Sequence, residues 1–294
     1  MSQTAPRPER RHPKNQLNDL TGREWLRFTR TWFVHDPPPR SREELEHPAK
    51  YPEGLVTDFL RFFTKAGEWV LDPFCGVGST LVAAARSGRS GVGIELVPAF
   101  AAVARRRVAA EAAGTRQLVA EGDAVRLPEV LGRLRQAHPE VPARFDFTMT
   151  SPPYWDMLSK SRGGVESVHK RRAKRGLATT YSDHPDDLGN RPDYGSFLAA
   201  LGEVFRHVYA LTRPGRYLVV VAQNMRTPAG AVQPFAWDLV RELTERGPWV
   251  FHGERIWCQD SKPLGIWGYP KVFVPNYHHH YCLIFYKPEG GRDP

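Results

Sequence analysis

Three features are scarce or absent in this 294-residue chain, and each absence argues against a class of protein. There are only three cysteines, at positions 75, 258 and 282, and no Cys-x-x-Cys pair, so we expect no disulfide framework or zinc site and a reducing cytoplasm as the location. There is no run of about 18 apolar residues, so we expect no membrane span. The basic N-terminus is not followed by an apolar core, so we expect no signal peptide.

Acidic residues are outnumbered by basic ones. The chain has 41 Lys and Arg against 32 Asp and Glu, which gives a formal net charge of +9. This excess favours an anionic partner, and nucleic acid is the leading candidate. The hydrophobic content of 41% is typical of a globular protein with enough chain to bury a core.

The most informative stretch is Thr-Ser-Pro-Pro-Tyr-Trp, residues 150–155, which follows the apolar run Phe-Asp-Phe-Thr-Met. Two consecutive prolines cannot continue a central strand, so we expect the chain to leave the sheet there in an extended turn. Ligands of open α/β sheets bind at such carboxyl ends. The Ser151 hydroxyl and the Pro152 carbonyl can accept hydrogen bonds from an amino group, and the Tyr154 ring can stack on a base.

Ser-Pro-Pro-Tyr resembles the catalytic motif of the S-adenosylmethionine-dependent amino-methylating DNA methyltransferases, the N-4 cytosine and N-6 adenine family. It has the form associated with cytosine N4. The resemblance implies that Ser151, Pro152, Pro153 and Tyr154 are catalytic residues, with Trp155 beside them as a DNA contact.

A second segment, Glu-Trp-Val-Leu-Asp-Pro-Phe-Cys-Gly-Val-Gly-Ser-Thr at 68–80, predicts a strand, a glycine-rich turn and a helix. It has neither the Gly-Lys-Ser/Thr ending of a phosphate loop nor the dinucleotide Gly-x-Gly-x-x-Gly. It resembles motif I of the same family. Glu95 ends the next predicted strand, about 20 residues after Asp72, where a ribose hydroxyl partner is expected.

Two further segments extend the resemblance. The stretch from His47 to Pro52 resembles motif X, which lies against the methionine end of S-adenosylmethionine, and Asp123 occupies the family's place for a contact to the adenine amino group. S-adenosylmethionine is therefore the implied cofactor. Its implied binding residues are His47, Pro52, Asp72, Pro73, Phe74, Gly76, Gly78, Thr80, Glu95 and Asp123.

An irregular segment, 156–193, follows the catalytic turn. Between Lys160 and Arg175 it carries seven basic residues against the single acid Glu166, which favours a loop that binds DNA phosphates over an ordinary solvated loop. The basic residues are Lys160, Arg162, Lys170, Arg171, Arg172, Lys174 and Arg175. The triplet His278-His279-His280 does not predict a metal site, because adjacent strand residues point to opposite faces.

Alternating apolar runs predict an α/β fold: a doubly wound, mostly parallel Rossmann-like methyltransferase sheet with an antiparallel last strand. The predicted strands cover 69–71, 91–95, 117–121, 145–149, 216–222, 250–257 and 281–286. The predicted helices cover 54–64, 98–113, 194–211 and 235–245, a further helix begins at Leu81, and a turn is expected at Pro214-Gly215. Aromatic residues at 25, 28, 32 and 33 have roughly helical spacing and predict an early helix. We expect a disordered basic tail at 1–17, one catalytic domain at 18–288 with the basic insert, and a short tail at 289–294.

The resemblance implies methylation of the cytosine N4 amino group in DNA, with the base flipped out of the stack. Adenine N6, an RNA amino group and a non-catalytic DNA-binding subunit remain alternatives, and a paired restriction enzyme stays open. The chain departs from the family in having no segment long enough for a separate target-recognition domain. Base selection is therefore assigned to 156–193, to 261–276, or to a partner specificity subunit.

Overall fold

The computed structural model describes residues 11–38, 51–111, 114–155, 184, 186–226, 231–266 and 268–290. The α-helices in these ranges are α1 (Gly22–Phe28), α2 (Glu53–Phe63), α3 (Ser79–Arg86), α4 (Pro98–Ala109), α5 (Leu127–Ala137), α6 (Tyr194–Leu211) and α7 (Phe235–Glu245). Short 3-10 helices cover Ala124–Arg126 and Leu188–Asn190. None of the helices in the described ranges combines the length and the apolar character needed to cross a membrane.

One large sheet organises the molecule. The strands are β1 (Trp32–Val34), β2 (Trp69–Asp72), β3 (Ser90–Glu95), β4 (Gln117–Glu121), β5 (Phe145–Thr150), β6 (Thr212–Ala222), β7 (Met225–Arg226), β8 (Val232–Gln233), β9 (Val250–Cys258) and β10 (His279–Tyr286). Eight of them form the order β1-β9-β10-β6-β5-β2-β3-β4, and β7 and β8 form a separate hairpin. All neighbours in the large sheet are parallel except β10, which is antiparallel to both β6 and β9. The predicted fold class is confirmed.

Both faces of the sheet are covered, which explains the continuous apolar runs in its central strands. In β6, Leu218 and Val220 belong to the core shared with α5, α6 and α7, whereas Val219 and Val221 belong to the core shared with α2. Strands buried on both faces need apolar residues at every position, so the period-2 pattern disappears.

The parallel arrangement brings the ends of β2, β3 and β5 to one edge of the sheet. Leu71 of β2 is in register with Val92 of β3 and with Thr148 of β5. Asp72, Glu95 and Thr150 are the last residues of these three strands, so the turns that follow them are neighbours.

The N-terminal region differs from the prediction in two ways. Trp32 and Phe33 lie in β1, which pairs with β9, and not in a helix with Trp25. The helix ends at Phe28, and the buried Arg255 guanidinium lies 3.9 Å from the ring centroid of Phe28 and 4.5 Å from that of Phe33. A cation–π contact with Arg255, far along the chain, therefore brings the rings of Phe28 and Phe33 to one place.

Ordered structure also begins earlier than expected. The Asn15 side chain, inside the expected disordered tail at 1–17, donates to Asn18 Oδ1 at 2.7 Å, and the Asn18 side chain donates to the carbonyl of Phe62. These bonds hold residues 15–18 against the end of α2.

Elsewhere the predicted bounds hold or shift slightly. Gln117–Glu121, Tyr194–Leu211 and Phe235–Glu245 have the predicted bounds, and α4 ends at Ala109, before the predicted 113. The predicted turn at Pro214-Gly215 lies inside β6, at an irregularity where Gly215 has φ 75° and donates to the Lys287 carbonyl at 2.8 Å. Helix α5 had no counterpart among the predicted elements.

Candidate active site

The turn after β2 brings backbone N–H groups to the end of β3. Gly76 and Gly78 have φ values of 53° and 84°, in the left-handed region that glycine adopts readily. The Gly76 N–H donates to Glu95 Oε2 at 2.8 Å, and Gly78 is the N-cap of α3. A Cβ at Gly78 would lie 3.2 Å from the Ala104 Cβ, so the turn also packs closely against α4.

Glu95 presents a buried carboxylate with unused acceptor capacity. Its Oε2 accepts from Gly76, and its Oε1 accepts from the Val97 N–H at 2.8 Å. Burial raises the pKa of Glu95 to about 7, with Asp72 and Asp187 contributing in the same direction and the two N–H donors opposing it. Each carboxylate oxygen keeps a free lone pair, so the ionised group can accept two more hydrogen bonds.

Asp72 has a different environment. Its Oδ2 accepts from the hydroxyls of Tyr51 at 3.0 Å and Thr80 at 2.6 Å, and its Oδ1 accepts from the Thr150 hydroxyl at 2.6 Å and the Phe74 N–H at 3.1 Å. The residue is 1% exposed, and burial raises its pKa against these four donors. Its carboxylate is therefore an internal link between β2, β5, α3 and the segment before α2, and it does not line the cleft described below.

The described end of the segment resembling motif X, residues 51 and 52, leads into α2. Pro52 is buried and is the N-cap of α2, and Glu53 accepts from the Ser79 hydroxyl at 3.2 Å and forms an ion pair with Arg107. Arg107 also donates to the Val77 carbonyl. These contacts fix α2 against the start of α3. His47, predicted to bind the cofactor, lies outside the described residues.

A cleft opens at this edge of the sheet, with about 590 Å³ of empty space including the part open to solvent. Seven residues predicted from the sequence line it: Pro73, Phe74, Gly76, Glu95, Asp123, Ser151 and Pro153. Six other predicted catalytic or cofactor-binding residues in the described ranges do not line it: Pro52, Asp72, Gly78, Thr80, Pro152 and Tyr154. The turns after β2, β3, β4 and β5 thus contribute to one site.

The remaining cleft residues were not predicted. They are Ile94, Leu96, Val97, Phe100, Gly122, Ala124, Asp186, Asp187 and Leu188. Position next to Glu95 could have indicated Leu96 and Val97. No spacing rule indicates Asp187, whose carboxylate accepts from the Gly189 N–H at 2.9 Å, because it is far along the chain from the other cleft residues.

The cleft wall is acidic. Glu95, Asp123, Asp186 and Asp187 line it, and no lysine or arginine is among its described lining residues. Burial raises the pKa of Asp123, Asp186 adds to the effect, and the Val125 N–H bound to its Oδ1 at 2.9 Å opposes it. Such a wall disfavours a phosphate-bearing nucleotide and suits a nucleoside that carries positive charge.

The Ser-Pro-Pro-Tyr turn exposes its serine side and buries its tyrosine. Ser151 is partly exposed at the cleft, whereas Tyr154 is 8% exposed and its ring lies edge-to-face on Phe235 at 5.8 Å. Burial raises the pKa of Tyr154, and hydrogen bonding to the Ser151 side chain and the Gln223 backbone lowers it. In this structure Tyr154 is hydrogen-bonded to the Ser151 side chain, and its buried ring does not present an open stacking face.

Two other predictions concern DNA and metal. Trp155 donates its Nε1–H to the Arg191 carbonyl at 2.9 Å, and its ring packs against Tyr194. Within the described ranges, no group of three or more His, Cys, Asp or Glu residues is placed to hold a metal ion. The predicted DNA-binding residues Lys160, Arg162, Lys170, Arg171, Arg172, Lys174 and Arg175 lie outside the described residues.

Comparison with known proteins gives a consistent result. A family model described as an N6/N4 DNA methylase matches residues 4–106. The chain is 41% identical over 66 residues to the type II methyltransferase M2.DpnII of Streptococcus pneumoniae, which is 22% of this chain and 25% of that protein. It is 32% identical over 93 residues to the type II methyltransferase M.BglI of Bacillus subtilis, 31% of this chain and 26% of that protein.

Among solved structures, TrmN from Thermus thermophilus is 16% identical, with a TM-score of 0.49 over 84% of this chain and 52% of that chain. The matches to the two curated relatives span about a quarter of their lengths. The sequence similarity is thus local.

Proposed function

Because the chain belongs to the N-4 cytosine and N-6 adenine family of amino-methylating DNA methyltransferases, we propose that it transfers a methyl group from S-adenosylmethionine to the N4 amino group of cytosine in DNA. The observation that carries the proposal is the shared cleft. Glu95 and Asp123, expected to hold the cofactor, line the same cavity as Ser151 and Pro153, expected to hold the base.

The donors and acceptors of the cleft fit this cofactor. S-adenosylmethionine supplies an electrophilic methyl group on a positively charged sulfur. In the proposed complex the two free lone pairs of Glu95 accept the ribose hydroxyls, and Asp123 accepts the adenine amino group. Phe74, Val97 and Phe100 provide apolar surface for the adenine ring. The absence of basic side chains among the described lining residues matches a cofactor without phosphates.

The serine end of the cleft supplies the proposed chemistry. Ser151 and the Pro152 carbonyl accept the two N–H bonds of the flipped base and direct its nitrogen lone pair toward the methyl group. The carbon–nitrogen bond forms as the carbon–sulfur bond breaks, and the nitrogen then releases one proton. Cys75 is no nucleophile here, since it is buried and burial raises its pKa well above the usual value.

Adenine N6 is the second candidate, because an adenine amino group offers the same two N–H bonds. The choice of cytosine rests on the serine form of the catalytic motif. Incubating the protein with DNA and isotope-labelled S-adenosylmethionine, followed by mass spectrometry of the nucleosides, distinguishes N4-methylcytosine from N6-methyladenine. A parallel incubation with RNA tests the RNA alternative. If neither polymer yields a labelled nucleoside, the proposed activity is contradicted.

The raised pKa of Glu95 gives a pH prediction. Ribose hydroxyls donate to the ionised carboxylate, so bound cofactor lowers its pKa. The affinity for the cofactor is then highest above about pH 7, which is the pKa of Glu95 in the free protein. It falls as the pH drops below this value. We expect calorimetry to give a Kd roughly tenfold weaker at pH 6 than at pH 8.

Glu95→Gln provides the control, because it cannot ionise while the titration of the cofactor's own amino group is unchanged. The variant should bind weakly, with a flatter pH profile than the wild type. Identical pH profiles in the two proteins would show that Glu95 does not bind the ribose.

The basic segment gives a salt prediction that rests on sequence alone. Replacing Lys170, Arg171, Arg172 and Lys174 with Ala should weaken binding to all duplexes similarly. The slope of log affinity against log salt should fall by about 0.9 for each phosphate contact removed. Fluorescence anisotropy from low to moderate salt measures this slope, and an unchanged slope would identify the segment as solvated surface. Loss confined to one sequence would make it the recognition element.

A further inference from the structure

The segment between β9 and β10 exposes an unusual amount of apolar surface. We define residues 261–266 and 268–276 as the apolar loop. Five of its large apolar side chains are at least about two-thirds exposed: Leu264 (78%), Ile266 (82%), Tyr269 (81%), Val272 (66%) and Phe273 (87%). Exposed apolar surface costs about 25 cal/mol per Å², and clusters of it mark interaction sites.

Hydrogen bonds within the apolar loop and to neighbouring residues fix its conformation. The Asn276 side chain accepts from the Gly265 N–H and donates to the Gly265 carbonyl, both at 2.9 Å, which closes the base of the loop. Lys262 Nζ donates to the Tyr277 carbonyl at 2.7 Å, and Ser261 donates to Asp36. The apolar side chains are thus presented by an internally bonded backbone.

A tight turn completes this arrangement. The Gly268 carbonyl accepts from both Lys271 and Val272 N–H groups at 2.8 Å. Gly268 has φ 73°, and a Cβ there would lie 2.4 Å from the Val272 carbonyl oxygen. Only glycine fits this turn, which places Val272 and Phe273 on the outside.

The apolar loop stands at the same edge of the sheet as the catalytic turn. Tyr281 of β10 is in register with Ala222 at the end of β6, and Val220 of β6 is in register with Thr150 of β5. Two strand spacings of about 4.8 Å each, on the order of 10 Å in all, therefore separate β10 from β5, the strand that ends before Ser151. The Gln223 side chain also donates to the His279 carbonyl at 2.6 Å.

We propose that the apolar loop inserts Ile266, Val272 and Phe273 into duplex DNA beside the flipped target base. This inference rests on the proposed function. Flipping leaves a gap in the stack, and apolar side chains that enter such gaps stabilise the unstacked neighbours. Three observations favour DNA as the occupant: the position of the loop at the same edge of the sheet as Ser151, Lys271 on the loop itself, and the net charge of +9.

The test compares duplex with single-stranded DNA. A random-sequence oligonucleotide pool, used in both forms with labelled S-adenosylmethionine, needs no knowledge of the target sequence. The variant is Ile266→Ser/Val272→Ser/Phe273→Ser. The matched control is Leu26→Ser, which alters a 72% exposed leucine in α1, a helix that packs on α2 through Trp25 and Phe62.

A single strand has no stack to open, so the wedge should matter only for the duplex. We expect the triple variant to lose roughly ten- to a hundredfold in duplex methylation rate, since unstacking a step costs a few kcal/mol. Its single-strand rate and its affinity for S-adenosylmethionine should stay within about twofold of the wild type. Leu26→Ser should match the wild type on both substrates.

Several outcomes would overturn the inference. An unchanged duplex rate, or equal losses on both forms, would show that the loop does not act by opening the stack. A change in mass by sedimentation in the triple variant would assign the loop to self-association. Wild-type protein that methylates neither form would contradict the proposed function itself, which is a separate and recognisable failure.

Discussion

Ser151→Ala should lower the single-turnover rate of methyl transfer by on the order of a hundredfold while the Kd for S-adenosylmethionine stays within about twofold. The substitution removes one acceptor for the target amino group, and the nitrogen lone pair loses its alignment with the methyl group. Ser151 lines the cleft on the turn after β5, whereas Glu95 is the last residue of β3. The substitution therefore leaves the predicted cofactor contacts in place. Rapid-quench measurement with enzyme in excess gives the rate, and calorimetry gives the affinity.

Two variants refine this test. Ser151→Thr keeps the hydroxyl and should retain more activity than Ser151→Ala. Tyr154→Phe removes the hydroxyl that contacts the Ser151 side chain but keeps the ring on Phe235, so a smaller rate loss is expected. Tyr154→Ala should lose both and approach the serine variant. Near wild-type rates in Ser151→Ala would refute the catalytic assignment.

Asp72→Ala should unfold more easily by about 3–5 kcal/mol. The change leaves three buried hydroxyls and the Phe74 N–H without their acceptor, and each unsatisfied buried group costs about 1–3 kcal/mol before the hydroxyls re-pair. A loss of this size is a large part of the 5–15 kcal/mol typical of a domain. Urea denaturation followed by circular dichroism measures it.

Thr80→Val and Thr150→Val are the matched controls, since each removes one donor and keeps the shape. Each should cost about 1 kcal/mol. Among folded molecules, Asp72→Ala should weaken S-adenosylmethionine less than Glu95→Ala does. Normal stability of Asp72→Ala together with lost binding would instead make Asp72 a direct cofactor contact.

The sequence anticipated the position of Glu95 better than the surroundings of Asp72. The predicted position of Glu95 at a strand end held, because strand and turn are encoded within a few residues. The predicted role of Asp72 in cofactor binding stays a prediction. The sequence did not indicate the donors around its carboxylate, because they come from Tyr51, Thr80 and Thr150, far apart in the chain. Local patterns place a residue at the edge of a sheet without saying which way its side chain turns.

Similar reasons explain the other differences. The aromatic residues at 25–33 suggested one helix, but Arg255 and the pairing of β1 with β9 divide them between a helix and a strand. Asp187 lines the cleft although it is far along the chain from the other cleft residues, so no local pattern indicates its position. The buried face of Tyr154 depends on Phe235, which arrives from α7.

The sequence by itself determined the order of the seven predicted strands, the two polar turns that resemble the family motifs, and the basic charge. Those properties are local or additive, so they can be read from neighbouring residues. Only the tertiary structure decided which acids line the cleft, which tyrosine face is covered, and that the apolar loop stands about two strands from Ser151. These depend on contacts between distant segments, and burial there decides whether a carboxylate is an internal link or an open acceptor.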